Sequence, residues 1–162
     1  GDTLCTPLQL TNYIATLVNG GNHYTPHLLR SVKSSDYSET LYEYEPTLIN
    51  NLELDPDNLE AVKYGMWKVA NDPESSVYRY FRDLPVTVGA KTGSAQVASD
   101  LEADAVFVCF APYENPEIAI TLVVESGGSG GYLAEAAAEI IRYYFSAEST
   151  PESVDAENIL LH

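Results

Sequence analysis

Positive charge is what this sequence has least of. Eight Lys and Arg stand against 24 Asp and Glu in 162 residues, for a formal net charge of −16. Nucleic acids and anionic membrane surfaces are bound through basic patches, so this deficit argues against both as partners. Long apolar runs are missing too: no stretch reaches the roughly 18 residues needed to span a bilayer as a helix. Cysteine is scarce, with Cys5 and Cys109 only, and their separation matches no metal spacing such as C-x-x-C. Sequence distance does not decide whether the two pair. Cys109 lies in an apolar run and is expected to act as a small buried hydrophobe. The three histidines form no metal pattern. His23 and His27 are four apart, but Pro26 between them argues against a shared helical face. Neither a metal nor a cofactor is expected. The chain opens at Gly1-Asp2-Thr3 with no Met and no leader-like run, which raises the expectation that it is part of something longer.

What is present suffices for a folded domain. The 45% hydrophobic and 10% aromatic fractions exclude a disordered acidic protein, because enough apolar surface exists to offset chain entropy. Length alone suggests one domain that buries about two thirds of its unfolded surface. The twelve tyrosines are expected in the core and at its rim.

Local signals lay out the elements. A helix is predicted over Pro7–Asn19: Thr6 and Gln9 form a capping box, Pro7 suits the first position, and Gly20-Gly21 ends it. Leu10, Ile14, Leu17 and Val18 make its apolar stripe. A strand is predicted around His27–Lys33, and Ser34–Glu45 is read as a loop or an exposed hairpin. A second helix is predicted over Pro56–Ala70, capped by Asp55, with Leu59, Val62, Met66 and Val69 on one buried face. A strand begins near Val86 and runs past Lys91. Two further strands, Ala105–Ala111 and Ile118–Val124, are apolar on both faces and so need covering on both. Pro112-Tyr113-Glu114-Asn115-Pro116 between them suggests an antiparallel hairpin. Gly127–Gly131 is read as a flexible, tight connection to a last helix over Tyr132–Phe145. The segment 147–162 carries four acids and no Lys or Arg, and is expected to be a mobile acidic tail in which Ile159-Leu160-Leu161 can dock locally. The fold class is α/β (α+β), a mainly antiparallel sheet covered by helices.

The chemistry concentrates in Gly89-Ala90-Lys91-Thr92-Gly93-Ser94-Ala95-Gln96. Lys91 is a compact cation in an acidic chain. On a strand, Thr92 and Ser94 point to the same face, and two hydroxyls beside an ammonium can bind a carboxylate. Gly93 lets a ligand backbone approach closely, and an extended peptide can add to such a strand if it lies at a sheet edge. The competing reading is an ordinary strand with a glycine and one exposed lysine. Acid pairs such as Glu43/Glu45 and Asp55/Asp57 are read as solvated faces.

This segment resembles the Lys-Thr-Gly motif of penicillin-binding proteins and serine β-lactamases. Thr6-Pro7-Leu8-Gln9-Leu10 with Asn19-Gly20-Gly21 resembles the helix after the second active-site motif of penicillin-binding protein transpeptidase domains. Leu59–Val69 is similar to the helix ahead of Lys-Thr-Gly in those domains. Residues 107–119 resemble their paired strands and turn, and Gly127–Phe145 their glycine-rich loop and final helix. Residues 1–146 are thus expected to be the C-terminal part of a transpeptidase domain, with the rest of the domain as their partner.

The resemblance implies roles for the third motif only. Lys91 would support the proton relay and stabilise negative charge. Lys91, Thr92, Gly93 and Ser94 would bind a D-Ala-D-Ala stem peptide or a β-lactam, with both hydroxyls on its carboxylate. The Ser94 backbone N–H would be one oxyanion donor, which makes Lys91 and Ser94 the catalytic candidates. No Ser has a Lys three residues later, and no Ser-x-Asn occurs. Tyr113-Glu114-Asn115 satisfies a Tyr-x-Asn variant but is read as a hairpin turn. The nucleophile is therefore expected from outside these residues, leaving the chain inactive alone, and the parent is expected to be extracytoplasmic and membrane-anchored. Two other functions compete: a β-lactam sensor or β-lactamase relative, and a non-catalytic peptide-binding module.

Overall fold

A computed structural model describes residues 4–96 and 102–147. The expected tail beyond Ala147 lies outside the described residues. Among these, no helix is long and apolar enough to cross a membrane.

The first helix, α1 (Pro7–Val18), starts where its caps dictate. Thr6 Oγ1 accepts from the Gln9 N–H at 3.2 Å, and Gln9 Oε1 accepts from the Thr6 N–H at 2.8 Å. Gly20 and Gly21, both at positive φ, then turn the chain out of the helix. The segment after them has more strand than the sequence suggests. Four short strands, β1 (Asn22–Tyr24), β2 (Ser31–Lys33), β3 (Thr40–Glu43) and β4 (Leu48–Asn51), pair as β1–β4 and β2–β3, all antiparallel. The exposed hairpin expected over Ser34–Glu45 is largely β3 and the turn before it. The strand expected at His27–Lys33 is only its last three residues, while His27 stacks on Tyr44 with ring centroids 3.5 Å apart.

Asp55 caps α2 (Pro56–Asn71) by accepting from the Asn58 N–H at 3.0 Å. A single-turn helix, α3 (Tyr78–Phe81), too short to show a periodic signal in the sequence, leads to the main sheet. Its strands are β5 (Gly89–Ala95), β6 (Asp104–Ala111) and β7 (Ile118–Val124), antiparallel throughout and ordered β5-β6-β7. A 3-10 turn (Gly130–Leu133) runs directly into α4 (Ala134–Ala147).

Alternation along β6 divides the core into two layers. Phe107, Cys109 and Ala111 join Ala90, Ile120, Phe81 and the buried face of α4 (Ala134, Ala137, Ala138, Ile141). Phe110 points the other way and packs with Ile14 of α1 and Met66 of α2. Helices therefore cover both faces, as two strands apolar on both sides require. The tyrosines meet expectation at the core's rim, where Tyr80 and Tyr113 pack, but not inside it. None is buried, and Tyr37, Tyr132 and Tyr143 are largely exposed. A phenol keeps its hydroxyl wet at the surface more cheaply than it finds a partner inside.

Gly89 lies under the Phe110 ring. A Cβ there would fall on the ring's edge atoms, 3.2 Å from Cδ1 and closer still to its neighbours. Gly89→Ala should cost about 1–3 kcal/mol in denaturant unfolding, and Phe110→Leu in the same chain should recover part of it. Both cysteines are free, Cys5 exposed and Cys109 buried, and burial pushes the Cys109 thiol up to about 12. At pH 8 an alkylating reagent should modify Cys5 and spare Cys109 until denaturant is added, as read by mass spectrometry.

Candidate functional site

Among the described residues β5 pairs only with β6, so its other side is a free edge. That edge carries Lys91-Thr92-Gly93-Ser94. Opposite them in register stand Val108, Phe107, Val106 and Ala105. Thr92 and Ser94 thus share the sheet face of Phe107 and Ala105, the α4 side. Lys91 takes the face of Val108, the α1–α2 side. The two hydroxyls come together as the alternation predicts, but the ammonium leaves the strand from the other face. A ligand meeting all three must lie along the edge itself.

Lys91 projects beside an open cleft of about 400 Å³ between α1 and α2, walled by Tyr13, Ile14, Leu17, Val62, Gly65, Met66, Val69 and Val108. Its Nζ donates to the Thr92 carbonyl at 2.6 Å, which keeps the charge along the strand. Among the described residues no carboxylate pairs with it; the ion pairs there are Arg82–Asp83 and Arg142–Glu139. An unpaired ammonium on an apolar wall attracts an anion more strongly than one in open water. Val62, expected on the buried face of α2, is instead 48% exposed because this cleft is open. The cleft walls were invisible as a site in the sequence, where they look like the core stripes of two amphipathic helices.

The glycine-rich segment is as tight as its sequence suggests. It is not a loose connector: Gly130 is buried against the β5–β6 backbone, and Ser129 caps the turn by accepting from the Gly131 N–H at 3.3 Å. Glycines placed immediately before a helix were the available signal. Tyr113-Glu114-Asn115 sits in the β6–β7 turn, as expected. The Tyr113 ring stacks on Phe110 and its hydroxyl donates to Glu60 Oε1 at 3.5 Å. Burial, then the Glu60 carboxylate, raises the Tyr113 pKa. Among the described residues no three His, Cys, Asp or Glu side chains gather as a ligand set.

The family described as the penicillin binding protein transpeptidase domain matches residues 1–143. The chain is 33% identical over 150 residues to the peptidoglycan D,D-transpeptidase MrdA of Salmonella typhimurium, covering 83% of this chain and 24% of that protein. It is 28% identical over 168 residues to MrdA of Escherichia coli K12, covering 94% and 26%. It therefore spans about a quarter of the length of these curated relatives. Among solved structures, penicillin-binding protein PBP2 from Helicobacter pylori superposes with a TM-score of 0.72 at 27% identity, over 93% of this chain and 26% of that one. Penicillin-binding protein 2B from Streptococcus pneumoniae R6 shares the fold, with a TM-score of 0.74 at 22% identity over 91% and 26%.

Packing within the sheet does not demand glycine at position 93. A Cβ there would meet Val106 Cβ at 3.5 Å and Val106 O at 3.6 Å, ordinary contacts, and its φ is not positive. Gly93→Ala should leave the unfolding midpoint unchanged or raise stability by up to about 1 kcal/mol, as alanine loses less backbone entropy. A large loss in denaturant unfolding would mean the strand itself needs the glycine.

Proposed function

The chain belongs to the penicillin-binding protein transpeptidase domain family, and from that premise we propose that it forms the part of a peptidoglycan D,D-transpeptidase domain that carries the substrate-binding strand. The observation that carries this reading is the position of Lys91-Thr92-Gly93-Ser94 on the free edge of β5, beside a cleft where Lys91 has no carboxylate partner among the described residues.

An extended D-Ala-D-Ala peptide, or a β-lactam in its place, lies along that edge. Its terminal carboxylate accepts hydrogen bonds from the Thr92 and Ser94 hydroxyls. Its scissile carbonyl oxygen faces the Ser94 backbone N–H, whose fixed dipole stabilises the negative charge that develops there. Lys91, on the opposite sheet face, adds positive charge to the proton relay that activates a serine. That serine is not among these residues, since neither Ser-x-x-Lys nor Ser-x-Asn occurs in the sequence. Acyl transfer needs a nucleophile with its activating base, so this chain alone binds without reacting. Stem peptides lie outside the cytoplasm, so the working protein is extracytoplasmic, held at the membrane by a segment beyond these residues.

Fluorescent penicillin should leave no covalent label on the chain by itself in a denaturing gel; a stable adduct at one of its serines would overturn the division of labour. In the intact domain, Lys91→Ala should slow penicillin acylation by about a hundredfold or more, with the fold retained. An unchanged rate would remove Lys91 from the machinery.

A further inference from the structure

We infer that Gly130 is a positioning residue for the proposed carboxylate site: its bare backbone is the stop that places Gly93, and through it Thr92 and Ser94. This rests on the carboxylate role given to those two hydroxyls.

The contact is between main chains. Gly130 is buried, and a Cβ added to it would fall within the van der Waals envelopes of Val106 O and Gly93 O and 2.8 Å from Gly93 N. All three obstacles are backbone atoms, so none can rotate aside as a side-chain tip does. Gly93 is the middle residue of Thr92-Gly93-Ser94, and the turn lies on the face those two hydroxyls share. The adjoining residues fix that side: Ala134 belongs to the buried layer of Phe107, Leu133 packs against that layer, and Gly131 stands beside Val77. The turn cannot drift, because it continues into α4, whose Ala137, Ala138 and Ile141 are locked in the same layer. Among the described residues β5 has no neighbour on its outer side, so the buried turn seated on one face is what fixes its height. The demand is specific to position 130. A Cβ on Gly131 would come no nearer than 3.6 Å to Ser129 Oγ, an ordinary contact.

Adding a methyl group at 130 must therefore lift the turn from the strand or push the strand from the turn. The first removes the stop on Gly93 and the second displaces it, and both loosen the placement of Thr92 and Ser94. Displacements near 1 Å at a binding constellation cost up to about a hundredfold in rate. The loss should fall on recognition of the carboxylate, not on acylation in general.

The test uses the intact transpeptidase domain, with penicillin and its methyl ester as probes, and reads the second-order acylation rate for each. The wild type should prefer the free acid. Gly130→Ala should lower the free-acid rate by about tenfold or more with little change for the ester, so that the preference collapses. Gly131→Ala should behave as wild type. A folded Gly130→Ala protein that keeps the preference overturns the inference alone, as does a parallel loss for both probes with a lowered melting temperature. A wild type that does not distinguish acid from ester overturns the carboxylate reading, and this inference with it. If Gly130→Ala fails to fold, Ser129→Ala replaces it. It removes the hydroxyl that caps the turn, adds no atoms, and should lower the preference about threefold; an intact preference there counts against the role of the turn.

Discussion

The fold depends on one strand being sealed on both sides. In β6, Phe107 and Cys109 are fully buried against α3 and α4, while Phe110 is fully buried against α1 and α2. A slip of one residue would turn every one of these side chains to the wrong layer, so the register of β6 is pinned twice. Its neighbours inherit that register. Gly89 must face Phe110, and six residues later Ala95 must face Asp104. The faces taken by Lys91, Thr92 and Ser94 thus follow from core packing in the adjacent strand and not from any preference of their own.

The same constraint explains why the proposed site can be sparse. Few cations are available in a chain with three acids for every base. One lysine is enough where its surroundings are apolar and, among the described residues, no carboxylate pairs with it. The cleft between α1 and α2 supplies those surroundings, since its walls join the buried Ile14 and Met66 to the exposed Tyr13 and Val62. On the opposite face the glycine-rich turn supplies rigidity without volume, so that the hydroxyls stay accessible while the strand between them is held. A free edge braced on one face and open on the other suits an extended ligand added by main-chain hydrogen bonds.

How legible each element was depends on how local its causes are. The starts of α1 and α2 follow from capping residues within three positions of each other, and both helices begin as predicted. The β6–β7 hairpin was legible because two apolar runs flank a proline-rich turn. Its neighbours were less so. The β1–β4 pair joins residues nearly thirty apart through Asn-rich segments with no alternation, held in part by Asn51, whose side chain donates to Gly20 O and Asn22 Oδ1. The three residues before Gly89 look like strand by composition, yet β5 begins only at Gly89, and ahead of it the Thr87 carbonyl accepts from the Tyr113 N–H in the β6–β7 turn. The tyrosines expected inside the core lie at its rim or on the surface, because counting aromatics does not resolve side-chain amphipathicity.

The sequence by itself determined the helix caps, the apolar runs that become β6 and β7, and the Lys-Thr-Gly-Ser segment with its paired hydroxyls. Those are properties of residues near one another along the chain, where propensity and periodicity act directly. Tertiary structure alone decided that β5 is an edge among the described residues, that Lys91 and the hydroxyls leave it on opposite faces, and that Gly130 rests on Gly93. Each of these is a contact between segments far apart in sequence. Such contacts exist only after the two-sided burial of β6 has brought its neighbours into register.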